Sequence, residues 1–146
     1  DDDDFRRGKP TSHKVFGEAI AVLAGDALLA SAFEIVASCK TASRYSHGDL
    51  VLEIARASGS LFLVAGQVAD LESEGKKISH GQLRYIHERK TAALLACAIR
   101  LGAMSANATR SQLRALTDFA YNLGMAFQVI DDILDATKTS KEPWQK

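Results

Sequence analysis

Between Leu113 and Leu134, apolar residues fall at alternating steps of three and four. Leu113, Leu116, Ala120, Leu123, Phe127, Ile130 and Leu134 make one stripe of an α-helix that begins at about Thr109. Met125, Ala126, Val129 and Ile133 cover much of the remaining surface, so the helix is expected to be buried nearly all round. Gln128, Asp131, Asp132 and Asp135 share a separate arc, about 100° wide at the helical repeat.

Three more helices follow from the same periodicity. Residues 15–36 place Ala19, Val22, Leu23, Leu29, Ala30 and Phe33 on one face, and Asp26 falls on that face too. Residues 38–48 are polar and turn-like. The next helix runs from about Asp49 towards Leu71, interrupted at Gly59 and Gly66, and puts Gln67 and Asp70 on one face at i and i+3. A further helix starts at a capping box, Ser79 with Gln82, with Ile78 and Leu83 as its hydrophobic staple, and runs to about Ala103. Its stripe of Leu83, Ile86, Leu94, Cys97 and Leu101 contains Lys90, which either snorkels outward or meets an anion. Thr109 and Gln112 repeat the capping box at the start of the last helix.

Composition agrees with an all-α domain. The 146 residues are 47% hydrophobic, rich in Ala and Leu, with two prolines. Eighteen basic and eighteen acidic residues leave no formal net charge, so no global field draws the chain to nucleic acid or an anionic membrane. No apolar run reaches membrane-spanning length, so no transmembrane segment is expected. Cys39 and Cys97 fit neither a disulfide framework nor a zinc site.

The charged side chains supply the candidate chemistry. Buried carboxylates are costly when unpaired, and three close together repel, so Asp131, Asp132 and Asp135 call for a cation. A hard divalent ion answers that need. Mg²⁺ takes one or two carboxylates, waters and substrate phosphates. Taken alone, Asp-Asp-x-x-Asp also describes a solvated acidic patch. The loop Phe5–Lys14 crowds Arg6, Arg7, Lys9, His13 and Lys14 around Gly8 and Pro10. Adjacent guanidiniums suit polyanionic oxygen ligands such as diphosphate, and a basic surface turn is the alternative.

Five stretches carry a resemblance in order. They are Arg6-Arg7-Gly8-Lys9-Pro10-Thr11-Ser12-His13, Gly25-Asp26-Ala27-Leu28-Leu29, Gly66-Gln67-Val68-Ala69-Asp70, Lys90-Thr91-Ala92-Ala93-Leu94, and Phe127-Gln128-Val129-Ile130-Asp131-Asp132-Ile133-Leu134-Asp135. Together they resemble the motifs of the trans-prenyltransferases (polyprenyl synthetases), most like the plant geranylgeranyl diphosphate synthases, over about residues 1–141. The resemblance implies an all-α isoprenoid-synthase helical bundle and a Mg²⁺-dependent, head-to-tail condensation. Isopentenyl diphosphate would add to an allylic diphosphate (dimethylallyl, geranyl or farnesyl), giving a short-chain product such as geranylgeranyl diphosphate. It implies a homodimer, or a heterodimer with a related subunit, and a plastid location.

Carried over by position, Asp131, Asp132 and Asp135 resemble metal ligands, with Asp70 close to the metals and Asp1 as the last Asp of a first Asp-rich motif. Arg6 resembles an allylic diphosphate contact and Arg7 an isopentenyl diphosphate contact. Lys90, Thr91 and Gln128 resemble further allylic-site contacts, Lys90 and Gln128 as the catalytic pair, and Gln67 lines the same cavity.

The chain departs from the family pattern at both ends. It opens on Asp1–Asp4 without the family's upstream Asp pair, and it ends in Glu142-Pro143-Trp144-Gln145-Lys146 where the family has a Gly-Lys-Thr-like segment. Residues 1–146 are therefore expected to be a partial catalytic domain, incomplete at both ends and inactive alone. The competing expectations are a non-catalytic subunit that binds and modulates an active prenyl diphosphate synthase, and a helical interaction domain without a ligand.

Overall fold

The computed structural model describes residues 3–137, and side chains as far as residue 134. It is built almost wholly of α-helix. A two-residue hairpin, β1 (Phe5–Arg6) against β2 (Lys9–Pro10), opens the described chain. The sequence pattern had placed only a loop there. Arg7 and Gly8 form its tip at φ 53° and 74°, the left-handed conformations that a two-residue hairpin turn demands.

The expected first helix is split. α1 (Ser12–Phe16) ends at Gly17, whose φ of 85° breaks the helix, and α2 (Glu18–Ser38) follows. α3 (His47–Ser58) starts inside the stretch read as turn-like, because Ser46 and Asp49 form a third capping box. Ser46 Oγ accepts from the Asp49 amide at 3.2 Å, and the Ser46 amide donates back to Asp49 Oδ2 at 2.8 Å. The Ser46 amide, and then the Ser46 hydroxyl donating to the same oxygen at 2.8 Å, hold the Asp49 carboxyl below its ordinary value. The chain breaks at Gly59 and resumes as α4 (Leu63–Ser73).

α5 (His80–His87) starts at the predicted Ser79–Gln82 box. It then passes into a π-helical segment, Glu88–Ala92, before α6 (Ala93–Ser105). One continuous helix was expected there. α7 (Arg110–Thr137) completes the described chain, with Thr109 and Gln112 boxed as predicted.

The packing runs α2 on α3, α3 on α6 and α6 on α7, with the π segment held between α4 and α7. Among the described residues, Leu50 is the largest fully buried side chain. Ile54, Ala57 and Cys97 form the centre of a small core, flanked by Ala32, Phe33 and Leu101. Burial pushes the Cys97 thiol up to about 11. Arg100 closes the α3–α6–α7 junction, donating to both Glu53 oxygens at 2.6 and 2.9 Å and to Thr117 Oγ1 at 2.7 Å.

Two expectations need correcting. α7 is not buried all round. It packs on α6 and the π segment along one side, and Phe119, Phe127, Ile130 and Ile133 on other sides are exposed, since no described element covers them. The second concerns membrane-spanning length. The stretches Glu18–Ser38 and His47–Ser73 are long and apolar enough to cross a membrane by length and composition, with mean hydropathies of 1.9 and 1.3. A search for apolar runs misses them because charged residues interrupt the runs, Asp26 in the first and Glu53 and Arg56 in the second. The same test is passed by core helices of soluble proteins.

Candidate functional site

At one end of the α4–π–α7 layer, polar side chains from three elements meet. Lys90 does meet an anion. Its Nζ donates to Asp70 Oδ2 at 2.6 Å, with both side chains mostly shielded from solvent. The pairing needs α4 to lie close to the π segment, because Asp70 and Lys90 are twenty residues apart in sequence.

The neighbouring Thr91 starts a second chain of bonds. Its hydroxyl donates to Gln128 Oε1 at 2.6 Å, and Gln128 Nε2 donates to Asp132 Oδ1 at 2.9 Å, one turn further along α7. The other oxygen, Asp132 Oδ2, accepts from His87 Nε2 at 2.8 Å. His87 is 4% exposed, the more buried of the two polar residues in the core. Both Asp132 oxygens are therefore oriented by neighbours, and both lone-pair sets retain capacity. A cavity of about 160 Å³ opens beside them, lined among others by Asp70, His87, Gln128 and Asp132. Ile78 and Leu83, the predicted staple pair, form part of its wall.

The back of the π segment is equally fixed. Tyr121 donates to Glu88 Oε1, and Arg84 Nε donates to the same oxygen at 2.6 Å. Tyr121 first, then Arg84, hold the Glu88 carboxyl below its ordinary value. The Arg89 guanidinium stacks 3.8 Å over the Tyr85 ring centroid.

The structure thus brings together Asp70, Lys90, Thr91, Gln128 and Asp132 of the residues singled out in the sequence. Gln67 and Asp131 are half-buried on the same two helices. Arg6 and Arg7 are not gathered in. They lie exposed on the hairpin, whose strands pair with each other. Asp1 and the side chain of Asp135 lie outside the described residues. Among the described residues, no three His, Cys, Asp or Glu side chains are grouped to hold a metal ion. The donor chemistry nevertheless fits magnesium. Asp70, Asp131, Asp132 and Gln128 offer hard oxygens, and a buried histidine donating to a carboxylate is the outer partner that fixes a ligating group.

His87 was missed by the sequence reading. The signal was present, since it lies three and four residues before Lys90 and Thr91 and so near their face. A lone histidine in an amphipathic helix gives no further hint of a buried partner.

The family model described as Polyprenyl synthetase matches residues 1–145. A chloroplastic geranylgeranyl pyrophosphate synthase from Catharanthus roseus is 53% identical over 144 residues, 97% of this chain and 40% of that protein. A farnesyl diphosphate synthase from Geobacillus stearothermophilus is 47% identical over 137 residues, 92% of this chain and 46% of that protein. The crystal structure of a geranyltransferase from Helicobacter pylori, complexed with magnesium and isoprenyl diphosphate, superposes with a TM-score of 0.83 at 30% identity. That match covers 98% of this chain and 47% of the other. The chain spans less than half the length of each of these three relatives.

Proposed function

The chain belongs to the polyprenyl synthetase family, and from that premise we propose that it serves prenyl chain elongation. In this reading isopentenyl diphosphate condenses head-to-tail with an allylic diphosphate (dimethylallyl, geranyl or farnesyl). The single observation that carries it is the convergence of Lys90, Thr91, Gln128, Asp132 and Asp70 from three elements through their hydrogen bonds, with Asp70, Gln128 and Asp132 lining one cavity. That set combines a cation, a hydroxyl and an amide for phosphate oxygens with carboxylates for the counter-cations of the diphosphate.

Asp131 and Asp132 would hold magnesium, with Asp70 nearby and with Asp135 and Asp1 as further ligands. The bound ion supplies Lewis-acid neutralisation of the diphosphate leaving group. The chain's own residues prepare for that charge. Lys90 is already in place beside the carboxylate of Asp70 and needs no reorganisation to face an anion. Thr91 and Gln128 tie the π segment to Asp132, and His87 holds the second oxygen of Asp132. Lys90 and Gln128 act as the catalytic pair of the allylic site, with Gln67, Arg6 and Arg7 as further diphosphate contacts.

The product is a short-chain prenyl diphosphate. Geranylgeranyl and farnesyl synthases both occur among the relatives at comparable identity, and the plant relative favours geranylgeranyl diphosphate and a plastid location. The exposed apolar side chains of α2, including Leu23, Leu28 and Ile35, support a partner surface for a second copy or a related subunit.

The test is incubation of the protein carrying this chain with radiolabelled isopentenyl diphosphate, an allylic diphosphate and magnesium. Label in longer prenyl diphosphates is expected. Magnesium-dependent diphosphate binding without incorporation would replace this reading by the non-catalytic subunit. Absence of both would overturn it.

A further inference from the structure

Two glycines close on the π segment from opposite helices. A Cβ on Gly66 of α4 would lie 2.3 Å from the Lys90 amide nitrogen, 2.7 Å from the Arg89 carbonyl carbon and 2.8 Å from Lys90 Cα. A Cβ on Gly124 of α7 would lie 2.6 Å from Ala92 Cα and 2.8 Å from Ala92 Cβ. In both cases the backbone is among the atoms met, so no side-chain rotation relieves the clash. Both glycines are buried, and Ala92 between them is wholly buried. The first approach falls on Lys90 and Thr91 lies between the two; the side chains of both belong to the site.

We propose that Gly66 and Gly124 are positioning residues: together they clamp the Glu88–Ala92 segment in its π register and so aim Lys90 and Thr91 at the diphosphate. A π turn closes i→i+5 bonds and holds one residue more than an α turn. Reverting the segment to α register would rotate Lys90 and Thr91 against α6 by about 100°, one residue's worth of helix. Lys90 would then leave Asp70, and Thr91 would leave Gln128. π turns are short and rare, and tertiary packing must hold them. The packing here is backbone on backbone, which glycine alone permits.

Helix propensity sharpens the point. Glycine is a poorer helix former than alanine, and both positions are helical. Gly102 in α6 is also helical, but a Cβ there meets nothing within 4 Å. It is the matched control.

The diphosphate part of this inference rests on the reading above; the clamp does not. The experiment is a double-mutant cycle with Gly66→Ala, Lys90→Met and both together, read by calorimetric titration of inorganic diphosphate with magnesium. Gly66→Ala is expected to weaken binding about tenfold with helicity kept, and to add nothing in the Lys90→Met background. Gly102→Ala is expected to leave binding unchanged. An equal loss in both backgrounds, or no loss, overturns the proposal. Where Gly66→Ala does not fold, Gly124→Ala paired with Thr91→Val gives the same cycle. If the unaltered chain binds no diphosphate, the functional reading fails. The clamp is then judged by the side-chain ¹⁵N resonance of Lys90 and amide exchange over residues 88–92. Gly66→Ala must change both while α3 amides keep their protection; unchanged signals overturn the clamp.

Discussion

The two halves of this chain solve the folding problem to different depths. From α3 to α7, the chain builds both an apolar core and a bonded polar network. Leu50, Ile54, Ile86, Cys97 and Met104 are buried, and the polar groups of Glu53, Asp70, His87, Lys90, Arg100 and Asp132 are bonded to one another or to neighbours. From the hairpin to α2, no residue is buried. Leu28 is 72% exposed, and α2 reaches the core only through Ala32 and Phe33. The comparison separates two kinds of motif. Lys90-Thr91 and Asp131-Asp132 are positioned by the packing of their own helices. Arg6-Arg7 and Gly25-Asp26 sit on elements whose packing surfaces remain open.

The largest expected effect tests that contrast through stability. Leu50→Ala should cost about 2–5 kcal/mol, as buried leucines do, whereas Leu28→Ala should stay within about 0.5 kcal/mol. Urea unfolding followed by circular dichroism reads both. Similar losses would mean that α2 is as well packed in solution as α3.

A second prediction probes the polar end of the well-packed half. His87→Ala removes a buried donor to Asp132 and should destabilise by about 1–3 kcal/mol. It should also weaken magnesium-dependent diphosphate binding, because one Asp132 oxygen loses its orientation. Destabilisation with unaltered binding would reduce His87 to a packing role.

Legibility in the sequence divides along the same line, with exceptions that have physical causes. The Ser79–Gln82 and Thr109–Gln112 boxes were readable because capping is local chemistry. The Ser46–Asp49 box used the same chemistry but was hidden in a polar stretch, with Asp in place of Glu or Gln. The break at Gly17 needed a positive φ that the residue type only permits. The π segment carries no local signal at all. Its cause is the approach of Gly66 and Gly124, residues distant in sequence. The Lys90–Asp70 pair and the Thr91–Gln128–Asp132 chain were implied as neighbours by the family resemblance, but which atom bonds which depends on that register. The burial expected for α7 failed because a one-chain periodicity records which faces are apolar, not what covers them.

Acid sensitivity offers a smaller effect. Glu88 is held below its ordinary 4.5 by Tyr121 and then Arg84. The folded chain therefore holds fewer protons on this group than the unfolded chain does. Its stabilising contribution is complete above pH 4.5 and is lost as pH falls through the lower folded value. Glu88→Gln should flatten the acid limb of the stability profile measured by thermal melts across that range. An unchanged acid limb would show that Glu88 does not contribute there.

The smallest expected effect lies on the hairpin. Arg6→Ala and Arg7→Ala should leave stability within about 0.5 kcal/mol, since both side chains are exposed. Under the diphosphate reading each should still weaken binding. A stability loss well beyond that would show that the hairpin docks on the rest of the chain more firmly than its exposure indicates.

The central claim is that Lys90 and the α7 carboxylates form one magnesium–diphosphate site. Calorimetric titration of inorganic diphosphate into the chain, with and without magnesium, tests it most directly when repeated on Asp131→Ala. Saturable binding that requires magnesium, and that falls at least tenfold in Asp131→Ala with helicity retained, is the predicted result. Binding of equal strength without magnesium, or in Asp131→Ala, would contradict it.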